Sequence, residues 1–383
     1  MQNFTYWNPV KIVFGKGTIS ELTELVPIEK KVLMIYGGGS IKKNGVYDQV
    51  KKALKNHNLL EFAGIEPNPL YETCMKAVDV IKKEKIDFLL SVGGGSALDA
   101  TKFIAAAAVF EGENAWDMAA GAEIKSALPL GSVITLPATG SEMNCGAVIS
   151  NSITKEKYPV INPHMFPKFS IIDPETTFSL PKRQVINGII DTFIHTVEQY
   201  ITLDVNTPLQ DRQAEAILKT LIEESPKIMA EPVDYNARAN FFWCSTQALN
   251  GLIACGVVQD WTTHMIGHEL TALYGLDHGQ TLAVLQPRVW ENKKQEKSDK
   301  LLQYAQRVLN ITGKNKNDSI NLAISKTEDY FHSLGIKTRL SDYNVDAEEA
   351  AETVSQRFYK RGTKLGENQQ VTPEDVKEIL LNC

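Results

Sequence analysis

The chain has 383 residues, 43% hydrophobic and 22% charged, enough for two domains with sizeable cores. Its formal net charge of −6 argues against nucleic acid as a partner, since phosphate neutralisation needs a basic face. No apolar stretch approaches the roughly 20 residues of a membrane span, no basic-then-apolar leader opens the sequence, and the scattered cysteines (Cys74, Cys145, Cys244, Cys255, Cys383) read as reduced packing thiols of a cytoplasmic protein.

In chain order, residues 5–14 come first and predict an edge strand with Val10, Ile12 and Phe14 alternating. Lys31–Tyr36 is a compact apolar run that stops at Gly37-Gly-Gly-Ser40, and a helical pattern follows from Val46 to about Asn56. Phe88–Val92 is a second buried run ending in Gly93-Gly-Gly-Ser96, with an Ala-rich helix after it. Val133–Leu136 is a third and leads into Pro137-Ala-Thr-Gly-Ser141. Apolar runs that stop at glycine and give way to helices predict a parallel, Rossmann-like sheet in an α/β domain.

From about Pro181 the texture changes. Residues 182–201, 208–225, 235–254 and 257–274 carry apolar residues at helical spacing, with breaks at Gly251, Gly256 and Gly275. Pro226 is read as ending or kinking its helix. Lys293, Lys294 and Lys297 read as a solvated helix face, and residues 298–382 are again helical. The expected organisation is an α/β domain over residues 1–180 and an all-helical domain over 181–383.

Neither glycine run matches GxGxxG, so the usual dinucleotide fingerprint is absent. Two glycine turns at strand ends of one sheet nonetheless let backbone approach a pyrophosphate, with a following helix to supply N–H groups. Ser96 with Asp99 reads as an N-cap and capping box. From Val32 to Val46 there is no Asp or Glu to hold a ribose 2′-hydroxyl, while Ser40, Lys42 and Lys43 can meet a 2′-phosphate. NADP(H) is therefore favoured over NAD(H).

The chain has seven histidines, and His195, His264, His268 and His278 all fall in the helical half. Asp191 and His195 are four apart, as are His264 and His268, so each pair shares one helix face. The apolar neighbours of Asp191 (Ile189, Ile190, Phe193, Ile194) bury it, and a buried carboxylate needs a cation or partner. Imidazoles and a carboxylate suit Fe(II) or Zn(II), with one histidine more than a four-ligand site needs.

The runs Gly93-Gly-Gly-Ser-Ala-Leu-Asp-Ala-Thr-Lys102, Pro137-Ala-Thr-Gly-Ser-Glu142, Asp191-x3-His195 and His264-x3-His268-x9-His278 occur in that order. As a set they resemble the iron-containing (group III) alcohol dehydrogenases over essentially the whole chain. Within that family, Tyr36-Gly-Gly-Gly-Ser-Ile-Lys-Lys43, Asn187-Gly-Ile-Ile-Asp191 and His268-Glu-Leu-Thr-Ala-Leu-Tyr-Gly-Leu-Asp-His278 look closest to the butanol dehydrogenase and NADPH-dependent broad-range aldehyde reductase branch. The resemblance implies a dehydroquinate synthase-like architecture, a homodimer, and hydride transfer between NADP(H) and small aldehydes or primary alcohols with the metal as Lewis acid. It implies metal ligation by Asp191, His195, His264 and His278. His268 is then the spare histidine and a candidate proton relay, with Asp99 as a second catalytic candidate. Cofactor contacts are implied for Gly37, Gly38, Ser40, Gly94, Gly95, Ser96, Asp99, Thr135, Thr139 and Lys157, with Lys155 competing for the last place. A glycerol dehydrogenase-like NAD enzyme and a dehydroquinate synthase-like metal lyase are the alternative readings.

Overall fold

The computed structural model describes residues 1–383. Two compact units emerge, one of Trp7–Pro181 and one of Met1–Tyr6 with Lys182–Cys383.

The first unit contains strands β1 (Lys11–Phe14), β2 (Lys31–Tyr36), β3 (Asn58–Ala63), β4 (Phe88–Gly93), β5 (Leu130–Ile134), β6 (Gly146–Asn151), β7 (Glu156–Ile161) and β8 (Phe169–Ile172). Its helices are α1 (Leu22–Leu25), α2 (Ser40–Lys43), α3 (Val46–Ala53), α4 (Tyr71–Glu84) and α5 (Gly95–Ala107). Six strands form one parallel sheet in the order β1-β8-β5-β4-β2-β3, while β6 and β7 make a separate antiparallel hairpin. The central strands are buried on both faces, which is why β2, β4 and β5 read as unbroken apolar runs.

Adjacent strands β2 and β4 send the chain in opposite directions. After β2 it goes outward to β3, whereas after β4 it goes to β5 on the other side. Their C-terminal ends therefore form a topological switch point, where open α/β sheets place ligands. Both glycine turns lie there.

The second unit is helical: α6 (Lys182–Tyr200), α7 (Pro208–Ala230), α8 (Tyr235–Ala248), α9 (Thr262–Tyr274), α10 (His278–Asn292), α11 (Ser298–Arg307), α12 (Lys316–Leu334), α13 (Ala347–Arg361) and α14 (Pro373–Leu381). Helix α6 is buried almost all round from Val185 to Tyr200. Helix α10 begins at His278, capped by Asp277 and Gln280 in a reciprocal capping box. Its second residue, Gly279, lets it crowd α6: a Cβ there would stand 2.7 Å from Asn187 Cα. Asn187 Nδ2 donates to Asp277 Oδ2 at 2.8 Å across the same crossing.

Several expectations need correction. Helix α5 has Gly94 as its N-cap with no side-chain cap, so Ser96 is not the capping residue; Asp99 bonds elsewhere, as described below. Helix α7 runs through Pro226 to Ala230 instead of ending there. Val10, just before β1, and Val13 within it are buried and Phe14 is exposed, so the strand, which spans only Lys11–Phe14, lacks the alternation expected for residues 5–14. Phe193, which with Trp261 and Tyr274 suggests an apolar substrate lining in the sequence, lies instead in an aromatic core with Tyr304, Tyr330 and Phe331.

The lysine run reads least well. Lys293 and Lys297 are only 6% and 3% exposed. Lys293 pairs with Asp375 at 2.7 Å. Lys297 pairs with Asp260 at 2.9 Å and Glu367 at 2.7 Å and donates to the Ile201 carbonyl. Their acidic partners come from distant parts of the chain, which local charge patterning does not reveal.

Candidate metal centre and cofactor turns

Asp191 and His195 lie one turn apart on α6, His264 is on the first turns of α9, and His278 opens α10. Around the single oxygen Asp191 Oδ1 stand His195 Nδ1 at 3.5 Å, His264 Nε2 at 3.6 Å and His278 Nε2 at 3.6 Å. These separations are longer than hydrogen bonds. They match the edge of a tetrahedron of ligands about 2.0–2.2 Å from a central ion, which is roughly 3.3–3.6 Å. Asp191, His195 and His264 also bring their ligand atoms within 4.8 Å of one another. Asp191, His195 and His264 form a donor group whose spacing fits one divalent transition ion, and His278 approaches that group from the Asp191 side. His278 is the most open of the four, its side chain 23% exposed against 5–7% for the others.

Charge supports the same reading. Burial works against an imidazolium at His264, but Glu198 and Asp191 outweigh it and lift the ring to about 9. Two buried carboxylates thus draw positive charge into this cluster. Glu198 was not singled out from the sequence. It lies seven residues after Asp191 and three after His195, on the same helix face, and its Oε2 meets His264 Nδ1. His268, also buried, stands apart from the Asp191 group, its ring 5.4 Å from that of His278 and 6.4 Å from that of His264.

Trp261, immediately before α9, adopts φ 64°. A bulky residue in the left-handed region costs about 1–3 kcal/mol and persists only when its surroundings impose it. Its ring packs edge-on at 5.2 Å from His264 and 6.1 Å from His195, and Nε1 donates to Gln259.

In the α/β unit, the turn after β4 is built for close approach. A Cβ on Gly95 would fall 2.6 Å from Thr139 Oγ1, so the start of α5 packs directly on the segment after β5. With no side chain capping α5, its first N–H groups suit a phosphate. Gly94, Gly95 and Ser96 form this turn, and Thr135 adjoins it by donating its N–H to the Gly93 carbonyl at 2.9 Å. Gly37 and Gly38 follow β2, and a Cβ on Gly38 would meet nothing within 4 Å. Ser40 begins α2, a single turn. The two turns together fit a phosphate-bearing cofactor.

Asp99 is not directed freely at this space. Its Oδ1 accepts from Ser141 Oγ at 2.7 Å and its Oδ2 from the Val148 N–H at 2.9 Å. One turn on, fully buried Lys102 donates among Ser141 O and Oγ, Asn144 Oδ1 and Gly146 O, all within 2.9 Å. Burial pulls this ammonium down to about 8, against the opposing charge of Asp99. Asp99 and Lys102 thus fasten the 141–148 segment to α5. Lys157 is buried on β7 and donates to Asn68 Oδ1 at 2.8 Å, whereas Lys155 is an exposed residue of the hairpin tip with φ 55°.

Beside the first turn, Lys42 Nζ lies 5.3 Å and 4.8 Å from the ring centroids of Tyr36 and Tyr47. Here the fold also brings in an acid, Glu61 on β3, missed by a search confined to residues 32–46. It accepts from Tyr36 at 3.1 Å, Tyr47 at 2.8 Å and Lys51 at 2.9 Å. Against partial burial, these partners hold its carboxyl below the usual range.

Residues 9–174 match the family model for iron-containing alcohol dehydrogenase, and residues 185–383 match the C-terminal model of the Fe-containing alcohol dehydrogenase family. The chain is 53% identical over 382 residues to the NADPH-dependent aldehyde reductase YqhD of Escherichia coli K12, covering 99% of each. It is 44% identical over 386 residues to a probable NADH-dependent butanol dehydrogenase 1 of Bacillus subtilis, again covering 99% of each. The crystal structure of the E. coli K-12 YqhD protein superposes with a TM-score of 0.97 at 52% identity, covering 99% of this chain and 98% of that one. With both halves of the sequence accounted for, this chain belongs to the iron-containing alcohol dehydrogenase family.

Proposed function

We propose that the protein is a metal-dependent NADP(H) oxidoreductase that interconverts small aldehydes and primary alcohols. The observation that carries this reading is the convergence of three imidazole nitrogens at 3.5–3.6 Å from Asp191 Oδ1. The 53% identity to an NADPH-dependent aldehyde reductase supports the substrate class and cofactor.

In this reading Asp191, His195, His264 and His278 hold one Fe(II) or Zn(II). The bound ion supplies Lewis-acid polarisation of the carbonyl oxygen during hydride transfer. Asp191 offsets part of the positive charge and so tempers that polarisation. Partly open His278 marks the side by which a small substrate enters. His268 carries the proton between the alcohol oxygen and solvent. Trp7–Pro181 forms the cofactor domain, with Gly37, Gly38, Ser40, Gly94, Gly95, Ser96, Thr135, Thr139 and Lys157 lining the NADP(H) site. Lys182–Cys383, with Met1–Tyr6, forms the metal domain. Within the cofactor domain Asp99 acts by holding Ser141 and Val148, which favours a positioning role over a catalytic one. Five free cysteines suit a cytoplasmic enzyme, and the open side of β1 at the sheet edge suits pairing into a homodimer.

A second reading of the cofactor, NADH, is favoured by the butanol dehydrogenase relative and by the proximity of Glu61 to Tyr36. The test is oxidation of NADPH and NADH at 340 nm with butyraldehyde, after reconstituting chelated protein separately with Fe(II) and Zn(II). Metal-dependent turnover with NADPH preferred is the expected result. Preference for NADH overturns the cofactor assignment. Absence of turnover in every combination overturns the reaction class.

A further inference from the structure

His264 has two ring nitrogens, and only one of them faces Asp191. That is Nε2, at 3.6 Å from Oδ1. The other, Nδ1, meets Glu198 Oε2. Glu198 is 1% exposed, and its second oxygen, Oε1, accepts the Thr263 N–H at 2.6 Å. An ionised carboxylate only accepts, so the nitrogen against Oε2 carries the proton. When a metal takes the place of the second ring proton, the ring stays protonated at Nδ1 and offers it the lone pair at Nε2.

The segment leading into α9 is held to the same end. The Asp260 N–H donates to the Glu198 carbonyl at 3.0 Å, and Asp260 Oδ1 accepts the Thr262 N–H at 3.1 Å. Lys297, between Asp260 and Glu367, locks this corner from behind. The Thr263 N–H is thereby aimed at Glu198, which fixes how its carboxylate is turned.

From this geometry we infer that Glu198 is a positioning residue that sets the tautomer of His264 and so prepares it to bind the metal. The inference rests on the reading of Asp191, His195, His264 and His278 as ligands.

Glu198→Gln is the informative change because it preserves shape. The amide oxygen must still face the Thr263 N–H, since two donors repel. Its NH2 then faces His264 Nδ1, which has to accept, and the ring proton moves to Nε2, where it blocks ligation. Zn(II) dissociation constants are measured on chelated full-length protein by competition with a chromophoric chelator, alongside thermal unfolding of the metal-free forms. E198Q is expected to weaken Zn(II) binding on the order of 10- to 100-fold, as loss of an outer-shell partner does. The metal-free protein is expected to unfold at a temperature close to wild type. A second readout needs no variant at Glu198. Zn(II)-loaded wild type labelled with 15N-histidine is expected to show a strongly downfield Nδ1–H proton resonance that His264→Ala removes.

Wild-type affinity in E198Q, or no such resonance from His264 in the wild type, overturns the role of Glu198. So does a lowered unfolding temperature with unchanged Zn(II) affinity, because a purely structural residue gives that pattern. If wild type fails to take up one Zn(II) per chain, or Asp191→Asn binds it as tightly, the ligand assignment itself fails, which is a separate result.

Discussion

At the scale of single residues, the candidate ligands stood out because helical spacing pairs them: Asp191 and His195 four apart, His264 and His268 four apart. What spacing does not say is which histidine is spare. The structure separates them, since His264 Nε2 lies 3.6 Å from Asp191 Oδ1 while the His268 ring stands beside His278. His268→Ala is therefore expected to keep one metal per chain, measured by elemental analysis. It should lower kcat on the order of 10²-fold, as removal of a proton-transfer group does, and alter the pH profile of kcat. Unchanged kcat and pH profile would remove the relay role. Gly279 carries a second prediction. Its Cβ would stand 2.7 Å from Asn187 Cα and 2.8 Å from the Asn187 carbonyl oxygen, both backbone atoms that cannot turn aside. Gly279→Ala should push α10 off α6 and carry His278 with it. The expected cost is about 1–3 kcal/mol of stability in urea unfolding, together with weaker Zn(II) binding. Glu198 escaped the sequence reading because a glutamate in a helix ordinarily faces water, and only the arrival of α9 gives it a partner.

At the scale of elements, α9 is held by ion pairs at its start and along its length. Lys297 anchors Asp260 before the helix, and Glu269, within it, pairs with Arg357 and Arg361 of α13. Removing Lys297 would leave Asp260 and Glu367 buried without their cation. Lys297→Met is expected to cost about 3–5 kcal/mol, the usual penalty for breaking a buried pair from one side, read as a shift in the urea midpoint. Its pH signature has a definite sign. Burial alone would lower the Lys297 pKa, but Asp260 and Glu367 prevail and raise it. A lysine raised by folding stabilises the native state fully below its unfolded value of about 10.4. That contribution fades as pH climbs through the folded value. Wild type should thus lose stability above about pH 10.4 more steeply than K297M; parallel curves would exclude the pairing. No local pattern announces this anchor, because three lysines in a polar stretch look solvated until residues 260 and 367 fold against them.

At the scale of the whole molecule, the change of texture near residue 180 and the glycine-terminated apolar runs conveyed the fold class. Strand order was not legible, because crossovers are decided by packing. β3 went unread because at an edge it needs few apolar residues, and its sequence Asn-Leu-Leu-Glu-Phe-Ala carries an acid. The opposite edge bears on assembly. β1 has β8 on one side, and its other side has no strand in the sheet. Lys11 and Gly15 give their N–H groups to Lys168 and Ile172, so odd-numbered residues face β8. In a parallel pair the intervening residues turn their N–H groups the other way. Ile12 and Phe14 thus direct theirs outward, and Phe14 leaves an exposed aromatic ring there, with Trp7 exposed nearby in sequence. If two copies pair through this edge, Ile12→Pro removes an outward donor without touching a bond to β8, and proline is tolerated at an edge. Sedimentation velocity is expected to find wild type as a dimer and the variant shifted toward monomer, with the metal content of each chain unchanged. A dimer that survives Ile12→Pro would place the interface elsewhere, and a monomeric wild type would leave β1 an unpaired edge guarded only by its short length and by Lys11.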